Sequence, residues 1–511
     1  MNDLRARRAL VHVCTVLLAV VVLALALYAP EALARAGGGN SFSSGRGSSS
    51  GGSYSSGGSY SGGGDGGAGL IWLVFQYPAI GIPVVIVLVV VTVWQKSQQG
   101  EFAGRRVSRS EHEPYIEAPR RDPPLNLSPL VQADPGFSLP LFLDMARLVY
   151  TRSMEEGAHL DVMSAWLSPA ARQVVEQFVG KDGISGVCIG STSLVGFRVA
   201  GQAHHLSVKF VSNVLRTPYG GKPTQFVRTE KWTFGRRAGA LSPGADRMQE
   251  LRCPSCGNPS EARRDGTCTR CDTVINDGRL QWVVQRIEVS SSEKLAGLGL
   301  SLGGGVEAGT ERPTRPDPDL GVNLRRLMAA QPDFNPATFD ERVRATFMAI
   351  QTAWSAGRQQ DLRPLESDFL YQQHRYWLER YAEEGVRNLA RDVKVRSLFL
   401  VKVTVDAYVV SVTLRLFVSM VDWTEDRNRK VVGGSKDEAR VFSEYWTFVR
   451  SLTARPAHPV GAGAPAQCPS CGASLDRVSE AGVCGYCEAK ITSGTFDWVL
   501  SDIQQDEVWS G

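Results

Sequence analysis

Eight of the chain's ten cysteines fall in two sets of four. Cys253-x2-Cys256 is separated by eleven residues from Cys268-x2-Cys271, and Cys468-x2-Cys471 by twelve from Cys484-x2-Cys487. A Cys-x-x-Cys pair places two thiolates on one tight turn. Two such turns close a tetrahedral four-sulfur site that suits zinc. The spacers are short for a zinc ribbon but fit a short hairpin. Gly257 and Gly472 follow the second cysteine of each set, where backbone amides must turn toward sulfur. Sulfur takes all four positions of each site, which leaves none for a water nucleophile. The expectation is therefore two structural zinc ions and no catalytic metal. The competing chemistry, two pairs of disulfides, requires an oxidising compartment. Cys14 sits in an apolar run and Cys188 in an expected strand, and both read as small buried side chains.

The flanks of the two sets are also duplicated. Trp232-Thr233-Phe234 lies 21 residues before the first cysteine of one set, and Trp446-Thr447-Phe448 lies 22 before that of the other. Trp282 and Trp498 each follow the last cysteine by 11 residues. Upstream, Phe137-Ser138 precedes Phe142, and Phe334-Asn335-Pro336 precedes Phe339. A capping Ser or Asn with a phenylalanine before it and another at the fourth helical position is a hydrophobic staple, and Pro336 suits the first helical position. Val410, Val412, Leu414, Leu416, Val418 and Met420 alternate with polar residues, which predicts a strand with one buried face. Leu206, Val208 and Phe210 begin its equivalent.

Each copy thus reads as two or three helices, two long strands, the Trp-Thr-Phe strand, a cysteine hairpin and a last strand. Helices followed by strands predict an α+β fold with helices packed on one face of an antiparallel sheet. The expected copies are residues 134–290, with a ribbon at 253–271, and residues 331–505, with a ribbon at 468–487; residues 291–330 read as a linker.

The N-terminal quarter has a different composition. Residues 1–36 combine Arg5, Arg7 and Arg8, an apolar run from Ala9 to Tyr28, and Ala34-Arg35-Ala36, the order of a secretory signal; an uncleaved first anchor is the alternative. Residues 37–69 are Gly/Ser-rich, with GGSY repeated, and have little to bury. Residues 70–94 carry no charge and are long enough to cross a bilayer. Residues 95–133 read as a polar tether. Six bases follow Trp94 before residue 122, against Arg35 and Arg46 between the apolar runs, which places the C-terminal part in the cytoplasm. A reducing cytoplasm keeps the eight thiols available for metal, which favours zinc over disulfides.

Phe334-Asn335-Pro336-Ala337-Thr338-Phe339, Ile350-Gln351-Thr352-Ala353-Trp354 and Glu444-Tyr445-Trp446-Thr447-Phe448-Val449-Arg450 resemble the C-terminal domain of the TIM-forty-four-like family. The likeness covers most of 330–505 and more loosely 134–290. The first copy departs at Gly235-Arg236, where the second has Val449-Arg450, and the cysteine hairpins are not part of the mitochondrial import protein of that family. The resemblance implies cone-like α+β domains with an apolar pocket, anchored in a bacterial inner membrane. It also implies docking of a protein partner rather than catalysis, with a lipid or small hydrophobic ligand as the alternative occupant.

Other motifs carry little chemistry. His204 and His205 are adjacent, so their side chains point to opposite faces of a strand and do not share a metal. Gly299-Leu300-Ser301-Leu302-Gly303 matches a hydrolase elbow in letters only, since it sits in a low-complexity stretch. The net charge of +4, from 56 basic and 52 acidic residues, provides no basic footprint for nucleic acid. Ribosome or nucleic-acid tethering through the hairpins is accordingly the weakest partner class. No convergent pair of carboxylates or His–carboxylate dyad is evident, so no enzyme is expected.

Overall fold

The computed structural model describes residues 125–506 and Trp509, apart from 181, 219–220, 243–250, 252, 259–261, 295–309 and 455–465. The expected signal (1–36), Gly/Ser segment (37–69), membrane span (70–94) and most of the tether lie outside the described residues, as do Cys14 and Gly299–Gly303. Among the described residues no helix is long and apolar enough to cross a membrane.

Two capped helices open the two halves. Ser138 caps α2 (Leu139–Glu156; α1 is Ser128–Ala133), its hydroxyl accepting from the Leu141 amide. Asn335 caps α5 (Pro336–Ala356; α4 is Leu320–Ala330), its side chain accepting from the amides of Ala337 and Thr338 at 2.9 and 3.2 Å. The staple phenylalanines meet at ring distances of 6.0 Å for Phe137–Phe142 and 5.5 Å for Phe334–Phe339. Each pair fixes how the chain enters its helix, as the spacing predicts. A second helix follows in each half, α3 (Pro169–Val179) and, after the short α6 (Gln359–Leu362), α7 (Asp368–Glu384). Both are capped by a serine, Ser168 or Ser367, whose own amide donates to the last strand, to Val284 O or Leu500 O.

The strands form two antiparallel four-stranded meanders. One is β1 (Gly183–Ala200), β2 (Ala203–Thr217), β3 (Thr224–Arg237) and β4 (Val283–Lys294). The other is β5 (Val386–Val405), β6 (Val409–Asp426), β7 (Val431–Ser451) and β8 (Val499–Gln505). Their registers correspond. Trp232 lies between Val208 and Ile287, and Trp446 between Leu414 and Ile503. The same α+β order therefore occurs twice, with helices covering one face of each sheet.

Three features depart from the expectations. Helix α1 lies within the stretch read as a tether, and its Leu130 is fully buried. Helix α4 and residues 310–319 lie within the stretch read as a linker; Asp317 N–H donates to Val401 O of β5 at 2.7 Å, and Leu327 is fully buried. Strand β6 is buried on both faces. Its apolar face is core, but Thr413, Arg415 and Ser419 on the other are also buried; Thr413 pairs with Thr447, and residues 310–314 cover Arg415. Alternation shows which residues share a face but does not show that a distant segment covers the polar one.

The halves pack directly against each other within one compact unit. Helix α7 lies against β1, where the Gln373 amide donates to the carbonyls of Ile189 and Gly190. The Arg147 guanidinium of α2 stacks 3.9 Å over the Phe369 ring, and Ser138 Oγ lies 2.7 Å from Asp406 Oδ2.

Candidate metal centres

Each cysteine set lies between the third and fourth strands of its sheet and is built from two turns and a small hairpin. In the first set the Cys253 amide donates to Asn258 O, and the Gly257 amide donates back to Cys253 O. The second turn repeats this with Cys268, Thr273 and Asp272. The other set has the same bonds through Cys468, Ala473 and Gly472, then Cys484, Ala489 and Glu488. The residue after the second cysteine of every turn is left-handed, with φ of 74° at Gly257, 54° at Asp272, 74° at Gly472 and 59° at Glu488. The sequence pointed to the two glycines. Asp272 and Glu488 escape notice because the conformation is imposed by the turn and not announced by residue type.

The turns bring the sulfurs together as the spacing predicts. Cys253, Cys256, Cys268 and Cys271 have all four Sγ atoms within 4.8 Å of one another, as do Cys468, Cys471, Cys484 and Cys487. The cross-turn pairs are 3.9 Å (Cys253–Cys271), 4.0 Å (Cys256–Cys268), 3.8 Å (Cys468–Cys487) and 4.0 Å (Cys471–Cys484). A tetrahedron with metal–sulfur bonds of about 2.3 Å has sulfurs about 3.8 Å apart. A disulfide needs about 2.05 Å, so the spacing is that of a metal cage. Cys253, Cys268, Cys468 and Cys484 are fully buried, while Cys271, Cys471 and Cys487 are half-buried and Cys256 is exposed. Burial pushes the Cys253 and Cys468 thiols up to about 12, whereas Thr273 holds Cys271 down to about 6 and the Ala489 amide holds Cys487 at about 7. A bound dication would deprotonate all four in either set.

Each cage is fastened to its own half. Arg264 lies 3.6 Å from Asp161 and 3.9 Å from Glu176, the latter on α3. Lys490 lies 2.6 Å from Asp368 and Arg375 2.9 Å from Glu480, joining the other cage to α7. On the return to the sheet, Gly278 and Gly494, both at φ 76°, pass against the backbone of β3 and β7; Gly278 O accepts from Arg237 N and Gly494 O from Ser451 N. Buried arginines lock the same corner. Arg236 stacks over Trp282 and binds Asp134 at 2.7 Å, and Arg450 lies over Trp498 and binds Asp333 at 2.9 Å. Burial raises the Asp134 carboxyl, but Ser242 and Arg236 outweigh it and hold it below the ordinary range.

The other singled-out residues are structural. Trp232 packs against Tyr150 and Phe210, and Trp446 against Phe347, both with no exposed surface. The apolar pocket implied by the family resemblance is, at these two tryptophans, filled by side chains. His204 and His205 are buried on opposite faces of β2, and burial lowers both below the ordinary histidine value. Cys188 is buried in β1, which pushes its thiol well up.

One constellation was not visible in the sequence. His374 Nδ1 lies 2.7 Å from Glu366 Oε1, with exposures of 4 % and 0 %. Trp354 meets the His374 ring edge-on, and Glu366 Oε2 has no hydrogen-bond partner among the described residues. Glu366 immediately precedes the capping Ser367, and His374 follows that cap by seven residues. The same places in the first half hold Leu167 and Val175, both buried. A dyad this enclosed offers a substrate no approach and stands as an internal polar pair.

These features define an α+β protein with two sheet-and-helix halves, each carrying a four-thiolate cage. Residues 320–459, from α4 to just past β7, match the family model of the Tim44-like domain. The second cysteine set lies beyond the matched stretch. No curated protein matches the chain.

Proposed function

We propose that the chain is a non-enzymatic scaffold tethered to a bacterial inner membrane. It would present two tandem Tim44-like domains, each stapled by one zinc ion, to the cytoplasm, where they dock a protein partner. The observation that carries this reading is the Tim44-like match over residues 320–459. The first half is assigned to the same kind of domain because its caps, registers, cage and buried arginine correspond to those of the second.

The cages support a structural role for the metal. Four thiolates saturate a tetrahedral ion, so it can neither activate water nor polarise a substrate. Cys253, Cys256, Cys268 and Cys271 would hold one zinc, and Cys468, Cys471, Cys484 and Cys487 the other. Each ion joins two turns, and structural zinc of this type contributes roughly 10–16 kcal/mol in small fingers. The N-terminal span and its flanking charge support the membrane tether and the cytoplasmic side.

Photo-crosslinking in native membranes tests the docking role, with the probe at Tyr486, which is 49 % exposed on the second cage. A discrete protein adduct that disappears when Cys468 and Cys471 are changed to Ser is the expected result. Lipid adducts alone, or a protein adduct indifferent to those changes, would refute it.

A further inference from the structure

The halves meet through a helix of one and the sheet of the other. Phe369, Gln373 and Tyr376 stand at i, i+4 and i+7 on one face of α7. Gln373 donates to the carbonyls of Ile189 and of the bulge residue Gly190, and Tyr376 lies against Gly186. Tyr376 also joins Cys188 and Leu215 in the core of the second half, and Val211 and Val227 pack against the same cluster. Cys188, Val211, Leu215 and Val227 all lie on the face of the first sheet that points away from Trp232. This outer face is therefore the seat of an amphipathic helix.

The second sheet has the same face and leaves part of it open. Registers anchored on Trp232 and Trp446 make Phe417 the counterpart of Val211 and Val441 that of Val227. Lys394 stands in the place of Cys188, and the bulge residue Arg396 in that of Gly190. Residues 310–319 cross this face further along, over Arg415 and the bulge at Val401, whose carbonyl accepts from the Asp317 amide at 2.7 Å. They leave Val441 and Phe399 53 % and 46 % exposed, with Phe399 edge-on to the half-buried Phe417 at 5.8 Å. Lys394 and Arg396 are exposed on the adjoining strand, and their side chains have no ion-pair partner among the described residues.

We infer that this face docks an acidic amphipathic helix of a protein partner, laid against β5 as α7 is laid against β1. Apolar residues of that helix cover Phe399, Phe417 and Val441. One carboxylate faces Arg396, where α7 sets Gln373 against Gly190, and another lies within reach of Lys394. A second copy of the chain does not supply the helix. Its α7 is already seated on its own first sheet. Helix α3, aligned by the caps Ser168 and Ser367, presents Ala170, Val174 and Gln177 in place of Phe369, Gln373 and Tyr376, with no aromatic ring and no carboxylate. The surface deepens the scaffold reading, on which it rests for the existence of a protein partner.

The test uses the full chain in native membranes with p-benzoylphenylalanine in place of Phe399 and, in parallel, of Tyr486. Zinc content of each variant reports that it has folded. Expected from the Phe399 probe is an adduct with another protein, mapped to an amphipathic segment with acidic residues beside its apolar face. Reversing both charges, Lys394→Glu with Arg396→Glu, should reduce that adduct at least about tenfold. An adduct indifferent to the reversal, or mapped to a segment without acidic residues, would overturn the assignment. So would adducts only with lipid or with a second copy of the chain, or none from this probe. A protein adduct at Tyr486 with none at Phe399 overturns this surface alone, whereas protein adducts from neither probe remove the scaffold reading as well.

Discussion

The buried His374–Glu366 pair makes a quantitative prediction because the protein contains its own control. The two side chains are in contact at 2.7 Å with almost no exposure, while the equivalent places in the first half are filled by Leu167 and Val175. Removing one partner leaves the other buried without compensation, which costs about 3–5 kcal/mol. Glu366→Leu and His374→Val should each destabilise the second half by that amount. For a unit of this size that lowers its melting temperature by about 6–20 °C. The double variant restores the apolar pair of the first half and should recover to the parent's stability or exceed it by about 1–4 kcal/mol. The assay is thermal and urea unfolding of the four proteins of the cycle in detergent, followed by tryptophan fluorescence, since Trp354 abuts the His374 ring. The reasoning is refuted if the single variants cost under about 1 kcal/mol, or if the double variant is as unstable as their sum.

Four further predictions follow from the geometry. Gly472→Ala, at a φ of 74°, should weaken the second cage by about 1–2 kcal/mol, whereas Glu488→Gly, at 59°, should be neutral or stabilise it by up to about 1 kcal/mol; zinc-release rates with a chromogenic chelator would show the contrast. Gly266→Ala should be more disruptive in the first cage, because its Cβ would overlap the Asn276 side chain, and melting curves would register the loss. Arg415→Ala removes the buried partner of Asp506 and the anchor for residues 310–314, so it should cost about 3–5 kcal/mol and open that segment to limited proteolysis. Stripping zinc with a strong chelator should unfold both hairpins, seen as fast amide exchange over 253–278 and 468–494, while the sheet registers around Trp232 and Trp446 keep their protection.

Much of this architecture was legible in the chain. The cysteine spacing predicted both cages, and the Phe–Ser and Phe–Asn–Pro phrases marked two helix starts because capping is local chemistry. Trp232 and Trp446 identified equivalent strands, since both carry a large side chain into the core at one register. What escaped were features set by distant segments. Nothing near Arg415 signals that residues 310–314 will cover it. Asp134 and Arg236 are 102 residues apart and become partners only in the fold. The polar composition of 291–330 read as a linker although part of it caps a sheet, because capping a bulge takes backbone amides and arginine contacts rather than an apolar stripe. Glu366 and His374 share a helical entry, but their burial depends on Trp354 from another helix.

The claim on which the rest depends is that each set of four thiolates is a closed structural zinc centre. Its most direct measurement is metal analysis of the purified full chain beside a variant with Cys468 and Cys471 changed to Ser. The account predicts two zinc ions in the parent and one in the variant, with the amides of residues 253–278 unaffected. Fewer than two bound metals in the parent, or loss of both ions in the variant, would contradict it.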